Sequence, residues 1–167
     1  SERFRPHRLL PARSGRQRRM KIRTAIGTVL LLWLCNANAE QLMRFGAWEV
    51  HYAVLPSTFL RPAITQQYGV VRAEDSSLVN ISMLDASGTP ARGRVQGSAT
   101  NLLGQRQPLH FAEVLEPPAV YYLAQLRHAN EEVTRFEITV TREDGTEMVV
   151  EFQQKLYWED DHARGSG

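Results

Sequence analysis

Cysteine is nearly absent. The one cysteine, Cys35, sits in an apolar stretch close to the amino terminus, and residues 40–167 contain none. Disulfide frameworks, thiolate catalysis and cysteine-ligated zinc are therefore excluded from that larger part. Long hydrophobic runs are also missing. The apolar run from Ala25 to Cys35 is eleven residues long, against the roughly 20 that a transmembrane helix needs, so a polytopic membrane protein is excluded. With 11 glycines and 8 prolines in 167 residues, a collagen-like chain is excluded too. The length outside the first 39 residues suits one ordinary domain with one hydrophobic core, not a multi-domain enzyme.

Charge is unevenly spread. The net +2 of the whole chain hides nine Lys/Arg against the single acid Glu2 in residues 1–39, and a net −6 over residues 40–167. Met20-Lys21-Ile22-Arg23 is a cationic start, the apolar run follows, and Asn36-Ala37-Asn38-Ala39 closes it with small residues where a signal peptidase requires them. Residues 20–39 read as a cleavable secretory signal, cut between Ala39 and Glu40. A periplasmic location with no stable membrane anchor after cleavage follows from that reading. Cys35 does not suit lipidation, because the residue before it is Leu34 rather than a small one. Residues 1–19 carry seven arginines and no methionine; an arginine-rich arm ahead of a full export signal reads as an upstream segment outside the natural protein.

The remainder reads as short strands. Trp48, Val50, Tyr52 and Val54 alternate with Glu49, His51 and Ala53, the period-two pattern of a strand buried on one face. Leu60 to Tyr68 lacks alternation, has Pro62 at a first helical position and Gly69 as a stop, and is the one helix expected, of about two turns. Further strands are expected over Ser77–Leu84, Arg92–Ala99, Leu109–Leu115, Val120–Leu126, Arg135–Val140 and Met148–Gln154, with Asp144-Gly145 as a hairpin turn. The segment from Val120 is apolar on both faces near its start and is expected in the centre of a sheet. Seven strands with one short helix after the first predict an all-β, immunoglobulin-like antiparallel sandwich over residues 40–158, ahead of a closed barrel, with a frayed acidic tail at 159–167.

Several stretches carry a resemblance: Phe45-Gly46-Ala47-Trp48-Glu49-Val50-His51-Tyr52, Ser57-Thr58-Phe59-Leu60, Ala63 to Val71, Leu78-Val79-Asn80-Ile81-Ser82, Gly97 to Gly104, Tyr121-Tyr122 and Asn130-Glu131-Glu132. In this order, over roughly residues 42–158, they resemble the DUF4426 family of exported gammaproteobacterial proteins. The resemblance implies a small periplasmic β domain. It transfers no catalytic residues, since the family's function is uncharacterised.

Chemistry is sparse. His51 and His110 occupy alternating strand positions, and His128 with Glu131 and Glu132 forms a turn cluster without the spacing of a metal site. Ser98 lacks the G-x-S-x-G elbow of a serine nucleophile. No cofactor, no metal and no catalytic residue is expected. The segment Leu55 to Val71 is long for a sandwich connection and rich in apolar residues. Phe59, Leu60, Ile64 and Tyr68 either plug one end of the sandwich or form an apolar rim for a partner. Leu102 and Leu103 are candidates for the same surface, because adjacent leucines at a strand end cannot both face one core.

The expected function is a non-catalytic binding module for an envelope protein or peptide, monomeric or weakly self-associating. A carrier of a small hydrophobic ligand between the sheets is the alternative, with a metal-binding protein or hydrolase behind it. The acidic mature charge argues against nucleic acid. Intact-mass analysis of the protein from a periplasmic extract is expected to give a chain starting at Glu40; full-length protein retained in the cytosol would refute export.

Overall fold

The computed structural model describes residues 41–159. The upstream segment, the leader, its cleavage site at Ala39 and Glu40, and most of the acidic tail lie outside the described residues. Nine strands form two antiparallel sheets packed face to face: β1 (Gln41–Phe45), β2 (Trp48–Pro56), β3 (Ser76–Leu84), β4 (Gly93–Asn101), β5 (Arg106–Leu109), β6 (Ala112–Glu116), β7 (Ala119–Arg127), β8 (Glu132–Arg142) and β9 (Glu147–Leu156). The five-stranded sheet runs β1-β2-β3-β7-β6 and the four-stranded sheet β5-β4-β8-β9. The expected sandwich is present, without a barrel. Among the described residues no helix is long and apolar enough to cross a membrane.

Two strands exceed the expected seven. Gln41–Phe45 pairs with β2 through a two-residue turn at Gly46-Ala47 and lies at a sheet edge, where only partial burial is required. Residues 106–116, expected to hold one strand, divide into two. Pro108 has no N–H to donate and fits β5 because β5 is an edge strand. The chain then crosses at His110-Phe111 and continues as β6 at the edge of the opposite sheet. β7 is an interior strand, as its two-sided apolar pattern predicts, flanked by β3 and β6.

Alternation places Val50, Tyr52, Val79, Ile81, Met83, Tyr122, Leu126, Phe136, Ile138, Val140 and Val150 in one core between the sheets. An aromatic stack crosses it: Phe152 lies 4.5 Å from Tyr52 and 4.7 Å from Phe136, ring centre to ring centre. Side chains thus fill the space between the sheets at the level of this stack. At Gly97 in β4, a Cβ would sit 2.7 Å from the carbonyl oxygen of Glu137, so β4 and β8 approach at that level only because the position lacks a side chain.

The outer face of the five-stranded sheet is covered by its own connection. Residues 57–59 form a 3₁₀ turn and Pro62–Tyr68 form α1, with Pro62 in the first turn and Gly69 in the left-handed conformation (φ 65°) ending it. Leu60 and Ile64 bury themselves on Leu78, with Tyr68, Val70 and Tyr121 around them. Polar bonds hold the returning strap. Ser57 Oγ donates to the Ala73 carbonyl and accepts from its N–H, both at 3.0 Å. The Gln125 amide donates to the Val71 carbonyl (2.6 Å) and accepts from its N–H (3.2 Å).

Phe136 is fully buried whereas Val149, on the other face of the same sheet, is 44% exposed. Phe136→Ala is expected to lower stability by about 3–5 kcal/mol in urea unfolding, and Val149→Ala to change it by no more than about 0.5 kcal/mol. Similar effects at the two positions would contradict the core assignment.

Candidate functional site

Five of the eight large hydrophobic side chains that are exposed among the described residues gather toward one end of the sandwich: Val71, Leu102, Leu103, Tyr157 and Trp158. This end holds the 57–75 connection, the β4–β5 turn, the β7–β8 turn and the end of β9.

The β4–β5 turn is tightly built. Asn101 Oδ1 accepts from the N–H groups of Leu103 (3.1 Å) and Gln105 (3.0 Å), while Asn101 Nδ2 donates to Gln105 Oε1 (2.7 Å). The backbone closes it from Gly104 N to Asn101 O and from Asn101 N to Gln105 O. One asparagine therefore satisfies the turn's polar groups, which suits an Asx-type turn. Leu102 and Leu103, with no inward position left, are 75% and 84% exposed. Trp158 is held beside this end by its indole N–H on the His128 carbonyl (2.9 Å) and its backbone N–H on Asn130 Oδ1 (3.0 Å).

The six candidate residues divide. Leu60, Ile64 and Tyr68 meet in the cluster under α1, and Phe59 is partly buried at the end of the 3₁₀ turn. Leu102 and Leu103 project elsewhere, from a turn of the other sheet. Tyr68 donates its hydroxyl to Glu116 Oε1, fastening α1 to the end of β6. Burial, the bond to Glu116 and the charge of that carboxylate together push the Tyr68 phenol up to about 12.

The histidine cluster disperses. His128 is buried, with Nδ1 donating to the Ala129 carbonyl (2.9 Å) and Nε2 accepting from the Ser77 hydroxyl (2.9 Å). Glu131 pairs with Lys155 at 2.9 Å. Glu132 accepts from Asn101 Nδ2 (3.3 Å) and Thr134 Oγ1 (3.4 Å). Among the described residues no three His, Cys, Asp or Glu side chains come together as metal ligands. His51 contacts Glu49, His110 is exposed, and Ser98 accepts from Arg106 Nε at 2.9 Å.

Two features were not legible in the sequence. Ser77 and His128, 51 residues apart, form a hydrogen-bonded Ser–His pair; Ser77 is 2% exposed, and its buried hydroxyl orients the ring. The second is a cleft of about 400 Å³ between the sheets at this end, with Asn101, Arg106, Arg127, His128, Glu132 and Thr134 in its walls.

The comparisons bear on this framework. The sequence profile of DUF4426, a domain of unknown function, matches residues 42–159. The chain belongs to the DUF4426 family. The crystal structure of a DUF4426 family protein from Pseudomonas aeruginosa PAO1 is similar, with 33% identity and a TM-score of 0.68 over 73% of this chain and 98% of that one. FetP of uropathogenic E. coli strain F11, expressed recombinantly in the periplasm, is similar in fold alone: 11% identity and a TM-score of 0.50 over 73% of this chain and 96% of its own. No curated protein sequence matches the chain.

Because the Tyr68 phenol is raised, its contribution to stability is complete below the ordinary tyrosine range near 10 and is lost as pH climbs through about 12. Ultraviolet titration is expected to show a phenol ionising near pH 12 that Tyr68→Phe removes. Survival of that phase in the variant would place it on another tyrosine.

Proposed function

We propose that this DUF4426 protein is an exported, non-catalytic binding module, and that it contacts a protein partner of the cell envelope through the apolar end of its sandwich. The observation that carries this reading is the β4–β5 turn, whose polar groups are satisfied internally while Leu102 and Leu103 stand 75% and 84% in solvent. Full burial of a leucine is worth about 1.5–3 kcal/mol, which the fold leaves unused at both positions. A turn already rigid loses little conformational freedom on association. Tyr157 and Trp158, both nearly half exposed at the same end of the sandwich, belong to the residue types enriched at the centres of interfaces.

Periplasmic export rests on the leader, with its cationic start, eleven-residue apolar run and small-residue end. A non-catalytic role is supported by the Ser77–His128 pair, in which the hydroxyl that would attack is buried. The aromatic stack that crosses the middle of the core speaks against a hydrophobic ligand held there between the sheets.

A photoreactive amino acid at position 103 tests the reading in cells. The expected outcome is a discrete adduct with one envelope protein, absent when the same residue is placed at position 149 and reduced at least tenfold by Leu102→Ser. Equal labelling from both positions, or none from position 103, would overturn it.

A further inference from the structure

Each sheet has two edges, and the four are not equally closed. β1, β5 and β6 are edge strands of five, four and five residues, and β5 carries Pro108. Short length and proline are common protections of a sheet edge against pairing with another chain. β9 has neither. It runs ten residues, Glu147–Leu156, without proline, glycine or a break in its register with β8, and among the described residues no strand pairs with its other side.

The hairpin fixes which groups that free side presents. The Arg142 N–H bonds to the Thr146 carbonyl, and bonded pairs recur at every second residue of an antiparallel ladder. Met148, Val150, Phe152, Gln154 and Leu156 therefore bond to β8, while the N–H and C=O groups of Val149, Glu151, Gln153 and Lys155 point away from it. The side chains of this second set, with Tyr157 after them, are exposed on the outer face. Glu151 stands directly opposite Glu137 of β8, and neither carboxylate has an ion pair among the described residues. Like charges in that relation are destabilising.

We infer that β9 pairs with the β9 of a second copy of this chain, antiparallel about a two-fold axis at Gln153, joining the two four-stranded sheets into one. A bonded edge must match Val149, Glu151, Gln153 and Lys155 with members of the same set, which leaves few registers. An axis at Glu151 sets that carboxylate against its own copy; an axis at Phe152 sets Val149 against Lys155; an axis at Gln154 sets Glu151 against Tyr157. With the axis at Gln153, Glu151 meets Lys155 twice, Val149 meets Tyr157 twice, and Gln153 meets itself. This register brings a cation to the Glu137–Glu151 pair and covers two apolar side chains that are 44% and 49% exposed. Lys155 keeps its bond to Glu131, since an ammonium has three donors. One strand from each copy makes a small contact, so the association is weak and the fold does not depend on it. The β4–β5 turn lies on the far side of β8 and stays open to a protein partner, whereas position 149 faces the second copy.

Sedimentation equilibrium of the exported protein is the first measurement. A monomer–dimer equilibrium is expected, weakened about tenfold by Glu151→Lys and by Lys155→Glu, because each turns two attractive pairs into repulsive ones. Mixing the two variants brings opposite charges together in both pairs of the mixed dimer, which is expected to regain the wild-type affinity. A protein monomeric at every concentration, variants that dimerise undiminished, or a mixture no tighter than its components would overturn the inference. The second measurement uses the lack of cysteine in residues 40–167, which makes Gln153→Cys a single thiol in the exported chain. Opposite residues of a bonded pair have Cα atoms about 5.5 Å apart, within the range of a disulfide. Oxidation is expected to link the Gln153→Cys protein into a covalent dimer and to leave a Glu147→Cys protein unlinked, because the residue on the axis alone meets its own copy. Equal linking at both positions, or none at position 153, would refute the register.

Discussion

The five-stranded sheet is apolar on both faces, and only one of them meets the other sheet. That mismatch governs much of the fold. Val79, Ile81, Tyr122 and Leu126 fill the space between the sheets, while Leu55, Leu78 and Val114 on the opposite face are as deeply buried. Something within the chain has to cover the second set, because an exposed apolar sheet face of this kind invites association. The connection from β2 to β3 is the cover: long enough to cross the face, helical where it must carry Leu60 and Ile64 down onto Leu78, and tied back by the backbone pairing of Val71 with the Gln125 side chain. The four-stranded sheet needs no such cover. Its outer positions, Arg94, Gln96, Arg135, Glu137, Glu151 and Gln153, are polar and exposed.

Covering the sheet this way decides which surface is left. The apolar residues of the connection are spent on the fold, so the bulk of its hydrophobicity is internal. The β4–β5 turn has no such duty. It belongs to the sheet with a solvated outer face, it sits beyond the last inward pair at Ala99, and its closing asparagine removes any need for the leucines to pack in order to hold its shape. Exposure of a hydrophobic side chain on a surface is ordinary when it is scattered. Two in succession on a locked turn, with Trp158 anchored beside the adjoining cleft, are a different arrangement.

The strands with one face in the core were plainly written in the sequence. Val50-x-Tyr52-x-Val54 and Phe136-x-Ile138-x-Val140 alternate over enough residues that a one-residue slip would put the whole set in water. β1 was not legible, because an edge strand buries too little for its pattern to stand out, and Gln41-Leu42-Met43-Arg44-Phe45 is half polar. The break between β5 and β6 was hidden by Leu109 and Phe111, which keep the alternation going through the crossing between sheets. At the site, the paired leucines were legible because neighbouring positions on a strand face opposite ways. Whether Leu60 and Ile64 faced a partner or the protein itself was not, since both outcomes demand the same residue types. Glu132 was beyond reach: its sequence neighbour Glu131 is equally acidic, and only the fold turns Lys155 toward one and leaves the other facing a cleft.

That distinction between adjacent glutamates shows how a site arises here without any motif. Glu131 lies in the turn with a positive φ of 59°, which throws its side chain outward to the lysine of β9. Glu132 is the first residue of β8, and the strand's two-residue period then points it the same way as Thr134 and Phe136, toward the other sheet. Near the middle of the strand that direction ends in the core, where a carboxylate is excluded. At the strand's open end it reaches the mouth between the sheets, which is open to water. A sandwich whose sheets do not close over one another at their ends therefore offers such mouths wherever an inward position meets solvent, and the residues around it, here Glu132 with Arg106 and Arg127, set its polarity.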